Sequence, residues 1–201
     1  MGFGKLRVLN DDVIAVSAGF GAHSHNNMEI ITIVTNGTVT HRDSMGNTFE
    51  VTAGDVQVMS AGTGVTHSEE NESTDEELSL FQIWIETNKQ NSKPKYAQKA
   101  FRLATSSSGI VLLVNEDGQE GALPIQQDAY ISYVVVDGTH PLSYSLRDQQ
   151  HGVYVFVIEG DVSVMGIELC ARDGLGVHGI DSITFSSKSS ASLILIEVPM
   201  H

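Results

Sequence analysis

Two short motifs carry side chains that commonly bind metal ions. His23 and His25 are separated by one residue, and so are His67 and Glu69. In a β-strand, residues at positions i and i+2 point to the same face of the sheet. Two such strands meeting in one sheet would bring three imidazoles and one carboxylate to a common point. Because imidazole is a borderline ligand and carboxylate a hard one, this set suits a divalent transition metal.

The segments that must position these motifs have the pattern of short β-strands separated by turns. Turn signals such as Asn36-Gly37 and Ala53-Gly54 lie between short runs that are β-branched or alternate in polarity. Strands are predicted over residues 13–18, 29–34, 37–41, 49–51, 56–59, 78–85, 110–114, 129–136, 142–146, 153–158, 161–164, 182–185 and 192–198. Many short strands at regular spacing predict an all-β sandwich or barrel.

A change in composition near the middle divides the chain. Residues 88–95 are polar and basic and contain Pro94. This segment predicts a linker over 89–100, with one helical turn around 96–99. It would separate a first unit at 1–88 from a second at 101–201.

The two units echo each other. Residues 30–40 and 153–163 share the pattern of a strand, a turn at glycine and a return strand. When the units are aligned on glycines, the four positions of the metal-binding motifs fall in the second unit on Leu146, Asp148, Ser192 and Ile194. A repeat of this kind predicts that only the first unit holds a metal.

Composition narrows the class of protein. The 201 residues carry a net charge of −14, and the 11 Lys and Arg side chains are scattered, which argues against direct nucleic-acid binding. No apolar run reaches the roughly 20 residues that span a bilayer, so no membrane partner is expected. The first residues lack the apolar segment of a secretory signal, and the lone Cys170 cannot form an internal disulfide. We therefore expect a cytoplasmic protein in which Cys170 is a small buried apolar residue.

The longest pattern in the chain resembles a known family. Residues 19–30 resemble the first cupin motif in its pirin variant, and 41–47 with 54–69 continue the pirin pattern. The match covers residues 6–96, whereas the second half resembles only a generic cupin. The resemblance implies two tandem cupin barrels, each a double-stranded β-helix, with a metal in the first. It also implies the ligands His23, His25, His67 and Glu69, which would hold Fe(II) or else Mn, Co, Ni, Cu or Zn.

The resemblance also implies an activity. Several bacterial pirin-like proteins are similar to quercetin 2,3-dioxygenase, which opens the central ring of a flavonol with O₂ and releases carbon monoxide. The partners would then be a small aromatic substrate and O₂, and Glu69 would double as the proton acceptor. The alternative is a metal-dependent redox sensor or protein-interaction module without turnover, as implied by the animal family member, a transcription co-regulator. In that case the acidic surface suits a basic protein partner.

Several residues have more than one interpretation. Glu29 shares strand parity with His23 and His25, so it is either a residue of the cavity or a support for a ligand. His41 either lines the barrel or is an exposed strand residue. Two departures from the family pattern, Ser24 and Asn26, are expected to alter the rim rather than the metal site. Structural roles are expected for a further set of residues: His140, His151, His178, His201, Met59, Phe81 and Trp84.

Overall fold

The structure is a computed structural model that describes residues 2–101, 103 and 108–201. Within these residues the regular secondary structure is almost entirely strand, and a short 3₁₀ turn lies at Gln119–Gly121. The strands form four sheets that make up two barrels. None of the described helices is long and apolar enough to cross a membrane.

The first barrel is built from two sheets. One has the strand order β1-β8-β3-β6-β9 and the other β2-β7-β4-β5. Its strands are β1 (Leu6–Ile14), β2 (Gly19–His25), β3 (Met28–Asn36), β4 (Thr38–Asp43), β5 (Thr48–Thr52), β6 (Asp55–Ser60), β7 (Val65–Glu70), β8 (Leu78–Glu86) and β9 (Lys95–Ala100).

The second barrel repeats this plan. Its sheets have the orders β11-β10-β12-β19-β14-β17 and β13-β18-β15-β16. Its strands are β10 (Gly109–Asn115), β11 (Leu123–Pro124), β12 (Tyr130–Val136), β13 (Leu142–Ser145), β14 (His151–Glu159), β15 (Val162–Val164), β16 (Ile167–Leu169), β17 (Gly174–His178), β18 (Ser182–Ser186) and β19 (Ala191–Pro199).

Strand pairing shows that the two barrels are copies of one topology. The pairs β1·β8, β3·β8 and β2·β7 of the first barrel correspond to β12·β19, β14·β19 and β13·β18 of the second. The prediction of two tandem cupin barrels is therefore confirmed.

The predicted equivalences between the two copies are wrong in detail. The counterpart of β7 is β18 rather than β19, because Gly54 precedes β6 whereas Gly179 follows β17, the counterpart of β6. The register therefore differs from the predicted alignment on Leu146, Asp148, Ser192 and Ile194. Of these four only Leu146 is a counterpart, and it corresponds to His25 rather than to His23. The counterparts of His23, His25, His67 and Glu69 are, in that order, Tyr144, Leu146, Ile183 and Phe185. Tyr144, Ile183 and Phe185 belong to one buried apolar cluster, and Leu146 packs against it. Apolar packing fills the place that the histidines occupy in the first barrel.

The predicted helical turn around 96–99 is also wrong. Residues Lys95–Ala100 form β9, which pairs antiparallel with β6 along its whole length. The outer edge of β6 offers unpaired backbone groups, and pairing with β9 satisfies them. The second half of the predicted linker is thus an edge strand of the first barrel. The division into 1–88 and 101–201 stays a prediction.

Two smaller expectations fail at turns. The strand predicted over 13–18 ends at Ile14, because the chain turns at Ser17, whose φ is 55°. Cys170 is exposed rather than buried, since it begins the turn between β16 and β17.

The barrels share an apolar core. Ile31 and Ile83 of the first barrel lie in one cluster with Ile131 and Ile196 of the second, and all four are fully buried. Burying an isoleucine side chain contributes about 1.5–3 kcal/mol relative to leaving it exposed. This contact holds the two barrels together through their larger sheets.

Candidate metal centre

The candidate ligands all lie on one sheet of the first barrel. His23 on β2 is directly opposite His67 on β7, and Glu69 on β7 is opposite His41 on β4. A side chain at Gly19 would place its Cβ 2.5 Å from the Glu69 carbonyl oxygen, so glycine permits β2 to approach β7 closely. The i, i+2 spacing of each motif therefore aims its two side chains at the same face, as the sequence predicts.

The imidazoles of the motifs converge. The ring centroids of His23 and His67 are 4.4 Å apart, those of His23 and His25 4.8 Å, and those of His25 and His67 5.1 Å. One ligand atom from each of the three lies within 4.8 Å of the others. His67 is buried and the other two are half-buried, so the site opens on the side of β2.

The hydrogen bonding of these rings leaves nitrogen atoms free for a cation. Nδ1 of His23 contacts the Gly21 carbonyl oxygen at 2.8 Å, which leaves Nε2 as the free nitrogen. Nε2 of His25 and both ring nitrogens of His67 are buried and find no hydrogen-bond partner among the described residues. Each unsatisfied buried polar group costs about 1–3 kcal/mol. A divalent ion would satisfy these nitrogens, so the residues present fit a metal.

The protonation of the rings favours the same interpretation. Burial and the neighbouring imidazoles lower the pKa of His67 to about 3. Burial and His23 lower the pKa of His25. Neutral imidazoles with available lone pairs are the form that binds metal ions.

Glu69 and His41 extend the cluster on the far side of His67. One ligand atom from each of the three residues lies within 4.8 Å of the others. Glu69 is buried, and burial raises its pKa. Nε2 of His41 lies 3.1 Å from Oδ2 of Asp43, while Nδ1 finds no partner within the described part of the chain. His41, which the sequence left open between two interpretations, is therefore a buried member of the cluster.

Glu29 lies elsewhere, so the prediction that it could face the cavity is wrong. Its side chain is fully buried on the face of β3 that carries Ile31 and Ile33, the face turned towards the second barrel. Oε2 accepts a hydrogen bond from Ser60 Oγ at 2.5 Å. The alternation of side chains that would place Glu29 on the same face as His23 and His25 is interrupted at Asn27. The φ of 48° at this residue turns the chain between β2 and β3.

Aromatic side chains line the site. Trp84, expected in the core, is half-buried with its ring edge-on to His25 at 4.8 Å, whereas Phe81 and Met59 are buried as predicted. Tyr96 on β9 lies 4.8 Å from His41, between ring centroids, and Phe49 stacks on Tyr96 at 4.9 Å.

The remaining histidines lie away from the cluster. His140, His178 and His201 are exposed. His151 is buried in the second barrel, where Nδ1 lies 2.9 Å from Oε1 of Glu197. The structural roles expected for these four histidines stay a prediction.

Comparison with known proteins identifies the family. A family model described as Pirin matches residues 1–85, and one described as quercetinase C-terminal cupin domain matches residues 112–198. Over 199 residues the chain is 38% identical to quercetin 2,3-dioxygenase of Escherichia coli K12, covering 99% of this chain and 84% of that relative. The chain belongs to the pirin family. A second pirin-family relative, the pirin-like protein of Caulobacter vibrioides, is 39% identical over 198 residues, covering 98% of this chain and 84% of that relative.

Solved pirin structures have the same fold. The crystal structure of YhhW from Escherichia coli superimposes with a TM-score of 0.93 at 38% identity, covering 99% of this chain and 83% of that one. The structure of bacterial pirin YhhW in complex with nickel(II) gives a TM-score of 0.92 at 37% identity, covering 99% and 84%.

Proposed function

We propose that this pirin-family chain is a metal-dependent dioxygenase that acts on quercetin or a related flavonol or enol with O₂. The observation that carries the proposal is the cluster of His23, His25 and His67 beside the Glu69 carboxylate, in which ring nitrogens of His25 and His67 are buried and find no partner among the described residues. Relatives named quercetin 2,3-dioxygenase over nearly the full chain support the choice of reaction.

The proposed ligands are His23, His25, His67 and Glu69. Three nitrogens and one oxygen suit Fe(II), the metal we propose, and Mn, Co, Ni, Cu or Zn would also be accepted by this set. The nickel(II) complex of a relative at 37% identity supports a single divalent ion.

The ion, when bound, supplies a Lewis acid and a template for the substrate and O₂. The chain's own residues supply the rest of the proposed mechanism. Glu69, besides holding the ion, accepts the proton of the flavonol hydroxyl. The substrate enters on the half-exposed side of His23 and His25, where Trp84 offers an aromatic surface. The buried wall formed by His67 and Glu69 keeps bulk water from the opposite side.

The test is a flavonol assay. Metal-free protein is loaded separately with Fe(II), Mn, Co, Ni or Cu and mixed with quercetin under anaerobic conditions, and O₂ is then admitted. Loss of flavonol absorbance together with release of carbon monoxide is expected for at least one metal, and neither for His67→Ala. His178→Ala, an exposed residue of the second barrel, is the matched control. Absence of both signals with every metal would contradict the proposal.

A second candidate is a metal-dependent redox sensor that binds a protein. The acidic segment next to the site favours it, because Glu70 and Glu72 are only partly neutralised by Arg42 and suit a basic partner. A purified basic partner that binds the metal-loaded protein but not the metal-free protein, with no turnover in the flavonol assay, would favour this function.

A further inference from the structure

Glu69 is held by neutral side chains on both of its carboxylate oxygens. Oε1 accepts hydrogen bonds from Gln57 Nε2 at 2.6 Å and from Thr32 Oγ1 at 3.2 Å. Oε2 accepts one from Gln82 Nε2 at 2.5 Å. A carboxylate has about two acceptor positions on each oxygen. Oε1 is therefore filled, and one position remains on Oε2.

This arrangement requires both glutamine amides to turn their NH₂ groups towards Glu69. A flipped amide would present its carbonyl oxygen to the carboxylate and replace attraction with repulsion. For Gln82 the orientation is set by Trp84, whose Nε1–H donates to Gln82 Oε1 at 3.0 Å. Because an indole N–H can only donate, the carbonyl end of Gln82 must face Trp84 and its NH₂ end must face Glu69.

Gln57 is oriented in the same way by a second aromatic side chain. The Tyr96 hydroxyl donates to Gln57 Oε1 at 3.0 Å. The same hydroxyl also lies 2.6 Å from Gln98 Oε1, so its single hydrogen is divided between two acceptors. The hydrogen bond from Tyr96 to Gln57 is therefore weaker than the one from Trp84 to Gln82.

Both aromatic residues also lie against imidazoles of the cluster. Trp84 is edge-on to His25, and Tyr96 lies beside His41. Trp84 comes from β8 and Tyr96 from β9, whereas Glu69 is on the facing sheet. The two contacts therefore join the sheets of the barrel at the site.

We propose that Trp84 and Tyr96 are positioning residues for Glu69, acting through Gln82 and Gln57. Together with Thr32, these four residues form a clamp that leaves Glu69 a single open acceptor position, on Oε2. That position would hold the metal ion, and it would take the flavonol proton only when the bond to the ion is broken. The inference rests on the proposed function, because it takes Glu69 as a ligand. It adds residues that act by orienting Glu69 rather than by holding the ion.

The test measures metal binding without substrate. Trp84→Phe removes the N–H donor but keeps an aromatic ring beside His25. Isothermal titration of metal-free protein with Ni²⁺ is expected to show an affinity about 10–100-fold below that of the wild type, the usual effect of losing a residue that orients a ligand. The visible absorption spectrum of the Co²⁺-loaded variant is expected to shift, because the carboxylate no longer has one fixed orientation.

A double-mutant cycle shows whether the indole acts through the glutamine. Gln82→Leu is expected to weaken Ni²⁺ binding to a similar degree, and the Trp84→Phe/Gln82→Leu double variant to lose little more. Tyr96→Phe with Gln57→Leu forms the second cycle, with a smaller loss for Tyr96→Phe, and carries the test if Trp84→Phe does not fold.

The second barrel offers a matched control. Tyr144 donates its hydroxyl to the buried Glu197 Oε2 at 2.6 Å, so Tyr144→Phe removes the same kind of bond far from the cluster. Its Ni²⁺ affinity is expected to stay at the wild-type value. Wild-type affinity in both Trp84→Phe and Tyr96→Phe, or fully additive losses in the cycles, would overturn the clamp. Because the titration contains no flavonol, a negative flavonol assay would not change its outcome.

Discussion

The burial of His67 among other imidazoles makes the metal-free site costly to form. Both of its ring nitrogens lack partners among the described residues, and its centroid lies 4.4 Å from that of His23 and 5.4 Å from that of His41. Protonating one ring would place a cation next to its neighbours without a water shell. A bound divalent ion removes this penalty by taking the lone pairs that nothing else uses.

The pKa of His67 leads to a prediction for the metal-free protein. It is about 3 in the folded chain against 6.5 ordinarily, so the unfolded chain takes up this proton first as the pH falls. The stability from neutral His67 is therefore complete above pH 6.5 and is lost as the pH falls towards 3, by at most about 1.4 kcal/mol per pH unit. Urea unfolding at pH 7.5, 6.5 and 5.5 measures this slope.

The control for that measurement is His67→Gln, which cannot titrate. Burial raises the pKa of Glu69 and of Glu29. The contribution of these two carboxyls to stability therefore increases as the pH falls, whereas that of His67 decreases. Because both carboxyls are present in the variant as well, the difference between the two proteins isolates His67. A wild-type slope no steeper than that of the variant would contradict the interpretation.

At the scale of strands, β18 shows what replaces a metal site in the second barrel. Phe185 occupies the position of Glu69 and is fully buried against Tyr144 and Ile183 in one cluster. Phe185→Ala is expected to lower the free energy of unfolding by about 3–5 kcal/mol, because it leaves a cavity. Urea unfolding measures the loss, and elemental analysis is expected to show unchanged metal content.

Phe49→Ala is the matched control for this substitution. Its side chain is 39% exposed on β5, so a much smaller loss of stability is expected. Equal losses for the two substitutions would contradict the assignment of β18 as a core strand.

The sequence predicts strands well where polarity alternates and poorly where the chain turns. The motif spacing correctly aims His23 and His25 at one face, since parity holds within a single strand. Parity fails for Glu29 because the turn at Asn27 lies between it and the motif. Gln57 and Gln82 escape detection, because a single amide in an apolar strand has no pattern of its own. A polar residue inside such a run is the one signal that could have marked them.

At the scale of the molecule, a shared apolar core joins the two barrels. Lys95–Ala100 adds an edge strand to the first barrel, and apolar residues of both larger sheets form one cluster. The composition of this segment predicts a linker, because the outward side chains of the strand are polar and solvated. Only the pairing with β6, a contact distant in sequence, shows otherwise.

The shared core predicts that the barrels unfold together. Calorimetry of the metal-free protein is expected to show one transition, because neither barrel can expose this cluster alone without losing apolar contacts of the other. Ile131→Ala, in the cluster, is expected to cost about 2–5 kcal/mol and to leave a single transition. Two resolved transitions in the wild type would show that the barrels are independent.

The most direct measurement of the central claim is anomalous diffraction from crystals of the protein loaded with Fe(II) or Ni²⁺. The expected result is one strong peak in the first barrel, within bonding distance of His23, His25, His67 and Glu69, and a second barrel without a peak. A peak coordinated by other residues, or no peak at this cluster in fully loaded protein, would contradict the proposed site and the function built on it.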